Sequence, residues 1–187
     1  MNKNLEDYIK IYKFMPIETC QEILGELQHA EWRQHEYHIP AKGEFSSING
    51  NRELDVTYIQ SKLQKPFLEG LKGVFRQYIR ELEFPWFNHF VCCTSPRFNR
   101  YSVGRIMNEH CDHIHSIFPG EPKGVPILTA LGALNEDYTG GEFVMFGDKE
   151  YKIKAGEIMV FPSSFLYPHK VNEVKTGTRY SFVSWAM

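Results

Sequence analysis

The chain has 187 residues, a formal net charge of −2 at pH 7, and 42% hydrophobic and 24% charged residues. These values are typical of a single soluble domain, here residues 1–187, that buries a core without disulfides or a structural metal. The lack of a basic surplus gives no electrostatic reason to expect a nucleic acid or an anionic membrane as a partner. No apolar run in the sequence is long enough to span a bilayer.

The cysteine pattern indicates a reducing compartment. The four cysteines, Cys20, Cys92, Cys93 and Cys111, show no Cys-x-x-Cys spacing, and the first residues lack the apolar run of a signal peptide. We therefore expect a cytoplasmic protein with reduced thiols. The sequence does not indicate an oligomeric state.

Helical periodicity dominates residues 1–88. Apolar residues recur every three or four positions over 17–32, which predicts an amphipathic helix. A second helix is predicted over about 60–82, with Pro66 marking a late start or a kink. Between the two helices, residues 39–53 are rich in Gly, Ser and Asn and are predicted to form a loop.

The character of the chain changes after residue 88. Short segments rich in β-branched and aromatic residues are separated by Gly or Pro, which predicts strands joined by turns. The segments are HFVCCTS, FNRYSV, PILTALGAL, EFVMF, YKIK, EIMVF and RYSFVSW. This pattern favours an α+β fold in which residues 89–187 form a sandwich or jelly roll and the N-terminal helices pack on one outer face.

Three residues have the chemistry of a metal site. His110 and Asp112 lie two positions apart, and on a strand such residues share a face while Cys111 points away. His169 follows the segment EIMVF and a turn, and is predicted at the start of the next strand. Two imidazoles and one carboxylate form the facial triad of non-haem Fe(II) oxygenases, which leaves the opposite coordination positions open.

Arg179 lies ten residues after His169, and Ser181 shares its strand face. A guanidinium inside a jelly roll is costly unless it is paired, and no acidic residue beside it in the sequence is an obvious partner. We therefore expect a carboxylate of a keto-acid cosubstrate to pair with Arg179, helped by the Ser181 hydroxyl.

A competing interpretation uses other histidines. His113 and His115 could belong to a three-histidine metal site in a cupin-like barrel. That site would leave Arg179 without a role. Taken singly, His110 or His169 would also be interpreted as structural, so the prediction rests on the residues jointly.

Four motifs resemble those of the 2-oxoglutarate/Fe(II)-dependent dioxygenase superfamily, most closely its prolyl 4-hydroxylase-like branch. They cover about residues 96–187, and their order and spacing make the resemblance specific. They are Tyr101-x2-Gly104-x5-His110-x-Asp112, Leu134-Asn135-Glu136-Asp137-Tyr138-x-Gly140-Gly141-Glu142, Gly156-Glu157-x3-Phe161-Pro162-Ser163-Ser164, and His169-x-Val171-x2-Val174-x2-Gly177-x-Arg179-Tyr180-x4-Trp185.

This resemblance implies a double-stranded β-helix as the catalytic core, buttressed by the N-terminal helices. It also implies Fe(II), 2-oxoglutarate and dioxygen, with ascorbate as reductant and succinate and CO2 as products. His110, Asp112 and His169 would be the metal ligands, and Arg179, with Ser181 as a candidate helper, would bind the distal carboxylate of 2-oxoglutarate.

Two aromatic residues occupy positions at which relatives often have an aromatic side chain that lines the pocket. Tyr101 lies nine residues before the first ligand, and Trp185 lies six after the arginine. Each could instead be an ordinary core residue.

One position departs from the resemblance. Relatives often have a tyrosine that helps to hold the distal carboxylate, where this chain has Ala133. The hydroxyl must then come from elsewhere, with Thr129 and Ser181 as candidates. Small side chains at Gly132 and Ala133 are expected to widen the pocket.

The favoured function is hydroxylation of a prolyl residue in a peptide or protein, over which the loop at 39–53 could close as a lid. The alternative is an oxygenase for a free amino acid or small metabolite. A nucleic-acid demethylase is disfavoured by the charge of the chain. The alternative of a different class is a metal-binding jelly-roll protein without turnover.

Overall fold

The computed structural model describes residues 4–39, 44–47, 49–59, 62–112 and 124–187. Two α-helices, α1 (Ile17–Leu27) and α2 (Gln64–Leu82), are accompanied by short 3₁₀ helices at Leu5–Tyr8 and Gly50–Arg52. The strands are β1 (Lys10–Lys13), β2 (Arg33–Gln34), β3 (Tyr37–Ile39), β4 (Glu44–Ser46), β5 (Asp55–Thr57), β6 (Arg97–Tyr101), β7 (Met107–His110), β8 (Leu128–Ala133), β9 (Thr139–Gly140), β10 (Phe143–Met145), β11 (Lys149–Tyr151), β12 (Glu157–Pro162), β13 (His169–Val171), β14 (Val174–Thr176) and β15 (Arg179–Ala186).

Helix α1 is shorter than predicted because its hydrogen bonding changes after Leu27. The backbone N–H groups of His29 and Ala30 donate to carbonyls three residues back, which tightens the chain out of the α-helix. The indole N–H of Trp32 then donates to the Leu27 carbonyl at 3.2 Å. This bond satisfies one of the carbonyls that a helix end leaves without a helical partner.

Helix α2 begins at Gln64, later than the predicted start, and residues 60 and 61 lie outside the described ranges. Pro66 falls in the first turn, where its missing N–H removes no helical hydrogen bond. Pro66 therefore belongs to a late start and not to a kink. No helix within the described ranges is long and apolar enough to cross a membrane.

Two antiparallel sheets form the body of the molecule. The larger sheet has the strand order β1-β12-β8-β15-β6-β5-β2, and the smaller has the order β11-β10-β13-β7. Buried side chains from both sheets, such as Leu131, Val171 and Val183, belong to one apolar cluster between them. This arrangement is the predicted double-stranded β-helix.

The other face of the larger sheet is covered by the helices. Phe182 of β15 packs in a second apolar cluster with Leu71 and Phe75 of α2, whereas its neighbour Val183 lies in the cluster between the sheets. Successive residues of a strand point to opposite faces, so one strand serves both cores. The predicted α+β fold, with helices on one outer face, is confirmed.

The N-terminal half contributes more than helices. Strands β1, β2 and β5 extend the edges of the larger sheet, and β3 pairs with β4 within the segment predicted to be a loop. Residues 40–43 and 48 of that segment lie outside the described ranges. The division into a support, residues 1–88, and a catalytic core, residues 89–187, stays a prediction.

Two of the predicted strands were misplaced. The segment 89–95 forms no regular strand, although Cys93 makes an isolated bridge with Ala186 and the backbone N–H of Thr94 donates to the Trp185 carbonyl. The predicted strand at 151–154 is instead β11, which pairs with β10. Composition alone does not determine which extended segment finds a partner. Cys20, Cys92, Cys93 and Cys111 form no disulfide bond with one another.

Gly132 does not widen the pocket, contrary to the expectation. It pairs with Phe182 in the sheet, and a Cβ atom added to it would lie 2.0 Å from the Phe182 ring. Phe182 belongs to the cluster on the helical side. The missing side chain therefore makes room for an aromatic ring of the helix-facing core.

We predict that Gly132→Ala lowers the free energy of unfolding by about 1–3 kcal/mol, because a buried methyl group would displace the Phe182 ring. Gly73→Ala is the matched control. Gly73 is exposed in α2 with open space around it, so alanine should be neutral or stabilising by up to about 1 kcal/mol. Urea unfolding of both variants measures the difference, and equal stability would contradict the packing role.

Candidate metal centre

The pairing of β7 with β13 brings two histidines together. His110 is the last residue of β7, His169 is the first residue of β13, and the two are direct partners in the antiparallel ladder. Their ring centroids are 4.3 Å apart. The predicted start of a strand at His169 is therefore found, and both imidazoles point to the same side of the smaller sheet.

Asp112 reaches the same point from a different position than expected. Strand β7 ends at His110, so Asp112 lies in the bend beyond the strand and not on it. Its Oδ1 atom is 3.4 Å from His110 Nε2, and its Oδ2 atom is 3.8 Å from His169 Nε2. The three potential ligand atoms lie within 4.8 Å of one another, close enough for one ion to bind all three.

Backbone carbonyls fix the tautomer of both histidines. His110 Nδ1 lies 2.7 Å from the Asn108 carbonyl oxygen, and His169 Nδ1 lies 3.1 Å from that of Tyr167. A carbonyl oxygen can only accept a hydrogen bond, so each Nδ1 carries the proton. Each Nε2 then directs its lone pair toward Asp112, as metal coordination requires.

The protonation states also suit a metal. Burial, together with the nearby His110, lowers the pKa of His169 to about 4, so the ring is neutral at physiological pH. Burial alone would raise the pKa of Asp112. The interactions with His169, His110 and the Trp185 side chain outweigh burial and hold the pKa of Asp112 well below its usual range. The centre therefore offers the neutral imidazole of His169 beside the ionised carboxylate of Asp112.

A buried pair of hydroxyl groups orients the carboxylate. Thr129 Oγ1 donates to Asp112 Oδ2 at 2.8 Å and lies 2.8 Å from Ser163 Oγ. Thr129 was predicted as a candidate hydroxyl group near Arg179, and the structure gives it this different partner. Ser163 had no predicted role, although it stands in one of the recognised motifs.

Aromatic rings surround the two imidazoles. Phe143 and Phe161 each lie 5.3 Å from the His169 ring, and Tyr37 of β3 packs edge-on against His110 at 6.1 Å. The Tyr37 hydroxyl accepts the Asn108 backbone N–H at 3.2 Å. Tyr37 was not predicted, because no local pattern shows that β3 lies against the metal centre.

A buried acid and histidine lie behind Tyr37. The His35 ring packs edge-on against Tyr37 at 4.7 Å, and His35 Nδ1 lies 3.7 Å from Glu53 Oε1. Glu53 is fully buried, and its Oε2 atom accepts a hydrogen bond from Asn49 at 2.8 Å. Sequence reasoning found neither residue, since each stands alone in a polar segment.

Arg179 lies in the same interior without an acidic partner among the described residues. It is 3% exposed, and its Nη1 donates to Ser181 Oγ at 3.0 Å. The guanidinium lies 5.1 Å from the centre of the Tyr101 ring, on the neighbouring strand. The Nε atom is buried and makes no hydrogen bond within the described part of the chain.

These contacts fit an anionic ligand beside the metal. A buried guanidinium with an unused N–H is costly until a carboxylate pairs with it. Burial raises the pKa of Tyr101, so its hydroxyl stays protonated and available as a donor. Ser181 already contacts Arg179, and Trp185 is buried on the same strand. Ligand contacts by Tyr101, Ser181 and Trp185 stay predictions.

The alternative histidine site cannot be compared directly, because His113 and His115 lie outside the described residues. Within the described ranges, the group formed by His110, Asp112 and His169 is the only one in which three such side chains are close enough to hold an ion.

Comparison with known proteins agrees with this geometry. The family model of the 2OG-Fe(II) oxygenase superfamily matches residues 96–187. A PKHD-type hydroxylase from Delftia acidovorans is 34% identical over 96 residues, which is 48% of this chain and 42% of that protein. The chain thus aligns with less than half the length of the first relatives that it matches.

Solved structures share the fold. A Pseudomonas putida prolyl-4-hydroxylase superposes with a TM-score of 0.67 at 20% identity, covering 95% of this chain and 91% of the other. A prolyl hydroxylase from Trichoplax adhaerens, in complex with a peptide fragment of the oxygen degradation domain of hypoxia inducible factor, gives 0.69 at 19% identity over 96% and 83%.

We predict that Thr129→Val weakens metal binding by about 10- to 100-fold, because the Asp112 carboxylate loses its orienting donor. Thr57→Val is the matched control, since the Thr57 hydroxyl donates to the Glu31 carbonyl at 2.7 Å, away from the centre. Titration with Mn(II), followed by electron paramagnetic resonance, measures the affinity. Equal affinities in the two variants would argue against this role of Thr129.

Proposed function

Residues 96–187 belong to the 2OG-Fe(II) oxygenase superfamily, and on this premise we propose that the protein is a 2-oxoglutarate- and Fe(II)-dependent dioxygenase that hydroxylates a prolyl residue in a peptide or protein. The predicted superfamily and its prolyl 4-hydroxylase-like branch are confirmed. One observation carries the proposal. The triad of His110, Asp112 and His169 shares the barrel interior with the buried guanidinium of Arg179, which pairs with no Asp or Glu among the described residues.

The donor set suits Fe(II), for which two imidazoles and one carboxylate leave further coordination positions open. When bound there, the ion supplies the activation of dioxygen that is coupled to decarboxylation of 2-oxoglutarate to succinate and CO2. Ascorbate is proposed as the reductant that keeps the ion in the Fe(II) state. The Thr129 and Ser163 hydroxyls hold the Asp112 carboxylate in orientation.

Arg179 is proposed to bind the distal carboxylate of 2-oxoglutarate. Its fork of N–H donors matches a carboxylate, and Ser181 holds the guanidinium in place. The Tyr101 ring beneath it limits its movement. Phe143 and Phe161, packed around His169, keep the centre apolar and strengthen the charge pairing.

A prolyl substrate is supported by the fold and by the position of the β3–β4 hairpin. The similar Pseudomonas putida and Trichoplax adhaerens structures are prolyl hydroxylases, and the second contains a peptide. Tyr37 brings the hairpin against His110, so an extended peptide bound along it would pass the metal centre. The role of segment 39–53 as a lid stays a prediction.

A free amino acid or a small metabolite is the second candidate substrate, favoured by a second interior arginine, Arg97, beside Trp185. A metal-binding protein without turnover is less well supported. Such a protein would not explain why Arg179 is buried without an acidic partner among the described residues. A cytoplasmic location, ascorbate and the absence of a nucleic-acid or membrane partner stay predictions from the sequence.

We predict that the purified protein releases succinate from 2-oxoglutarate in the presence of Fe(II) and ascorbate. His110→Ala and Asp112→Ala should reduce release to background, because each removes a metal ligand. The exposed His89 provides the control variant His89→Ala, which should retain the activity. Release that survives either ligand substitution would exclude the triad.

We predict that Arg179→Leu raises the KM for 2-oxoglutarate by about 10- to 100-fold, as expected from losing hydrogen bonds between charged groups. Arg179→Lys should raise it less, because it keeps the charge but loses the fork. Mn(II) affinity should stay unchanged in both variants. An unchanged KM would remove Arg179 from cosubstrate binding.

We predict that proline-rich peptides gain the mass of one oxygen atom when incubated with the enzyme, 2-oxoglutarate, Fe(II) and ascorbate. Mass spectrometry after fragmentation locates the oxygen on proline or elsewhere. Peptides with alanine in place of proline are the control. Oxygenation of free amino acids, but of no peptide, would favour the second candidate.

A further inference from the structure

Arg97 faces the same interior as the metal centre. It lies on β6 two and four residues before Asn99 and Tyr101, so the three share one face of the strand. Tyr101 belongs to the cluster between the sheets, whereas Phe98 belongs to the helical side. The partner of Arg97 across the sheet is Val183, another interior residue.

The guanidinium lies at the metal end of this interior. It stands 5.1 Å from the centre of the Trp185 ring. Trp185 also pairs with Thr129, which donates to Asp112. Arg179 begins β15, six residues or about 20 Å of strand before Trp185.

Arg97 has unused capacity to bind an anion. Its Nε donates to Asn99 Oδ1 at 3.2 Å, and no carboxylate oxygen of the described residues lies within 4.0 Å of its nitrogens. The nearby buried acid, Glu53, is turned to His35 and Asn49. The half-buried guanidinium stacks on the Trp185 indole and is thereby held in place, yet its terminal N–H groups make no hydrogen bond to any residue that the structure describes.

Arg100, on the same strand, is an arginine that pairs with a carboxylate of the protein. It lies on the opposite, helix-side face, stacks on Trp32 at 4.5 Å and donates to Asp55 Oδ2 at 3.0 Å. Arg97 repeats the stacking without the acid. The difference indicates that a ligand supplies the missing carboxylate of Arg97.

We propose that Arg97 binds a carboxylate of the substrate, so that the substrate is an acid bearing this group close to the carbon that is hydroxylated. This inference rests on the proposed function. The carboxylate is either the α-carboxylate of a free or C-terminal proline or the side chain of an acidic residue next to proline. Both present the same group to the guanidinium fork.

Two matched probe pairs distinguish these sources. N-acetyl-L-proline is compared with N-acetyl-L-prolinamide, and acetyl-Pro-Asp-amide with acetyl-Pro-Asn-amide. Binding to the full chain, loaded with Mn(II) and 2-oxoglutarate without oxygen, is measured by calorimetry. We expect the acid of one pair to bind about 10- to 100-fold more tightly than its amide, the range for hydrogen bonds between charged groups.

Arg97→Met should abolish this preference for the acid, Arg97→Lys should retain part of it, and Arg100→Met should retain all of it. Thermal unfolding checks that each variant is folded. The KM for 2-oxoglutarate should not change in Arg97→Met. A raised KM would assign Arg97 to the cosubstrate and overturn the proposal.

Two further results would also overturn it. One is equal binding of acid and amide by the unmodified protein, including no binding of any probe. The other is a preference for the acid that persists in Arg97→Met. These measurements do not require turnover, so a protein that releases no succinate would refute the proposed function and still show whether Arg97 binds a carboxylate.

Discussion

The antiparallel pairing of β7 with β13 is the constraint on which the site depends. It makes His110 and His169 direct neighbours. A slip of one residue in this register would turn one imidazole to the opposite face of the sheet and separate the ligands. Asp112 lies beyond the strand, so the ladder does not hold it. The hydrogen bond from Thr129, backed by Ser163, replaces the ladder as its support. Strand register and one buried hydrogen bond thus position the three ligands together.

Two arginines lie at opposite ends of the interior face of the larger sheet, and their surroundings differ. At one end, Arg179 is buried with Ser181 and Tyr101 and has no described acid beside it. At the other, Arg97 stacks on Trp185 near the metal ligands. Each uncompensated guanidinium lowers stability until an anion pairs with it. An interior that contains a metal centre and two such groups suits two anionic ligands, a keto acid and an acidic substrate.

The N-terminal half takes part in the site through tertiary contacts. Its helices cover the outer face of the larger sheet, where Phe182 fills the space above Gly132. Its strands extend the sheet edges, and its β3–β4 hairpin sets Tyr37 against His110. The N-terminal half therefore covers the outer face of the larger sheet with its helices and places an aromatic ring against a metal ligand with its hairpin.

The sequence by itself determined the α+β class, the strand-rich C-terminal half, and the residues His110, Asp112, His169 and Arg179 that the structure brings into one interior. Periodicity and motif spacing carry this information because they report which face of an element a residue occupies. They do not report what that face meets. Only the tertiary structure decided that Thr129 supports Asp112, that Gly132 accommodates Phe182, that Tyr37 packs against His110, and that Arg97 stacks on Trp185. Those contacts join residues distant in sequence, and their geometry depends on strand register and packing that no local pattern encodes.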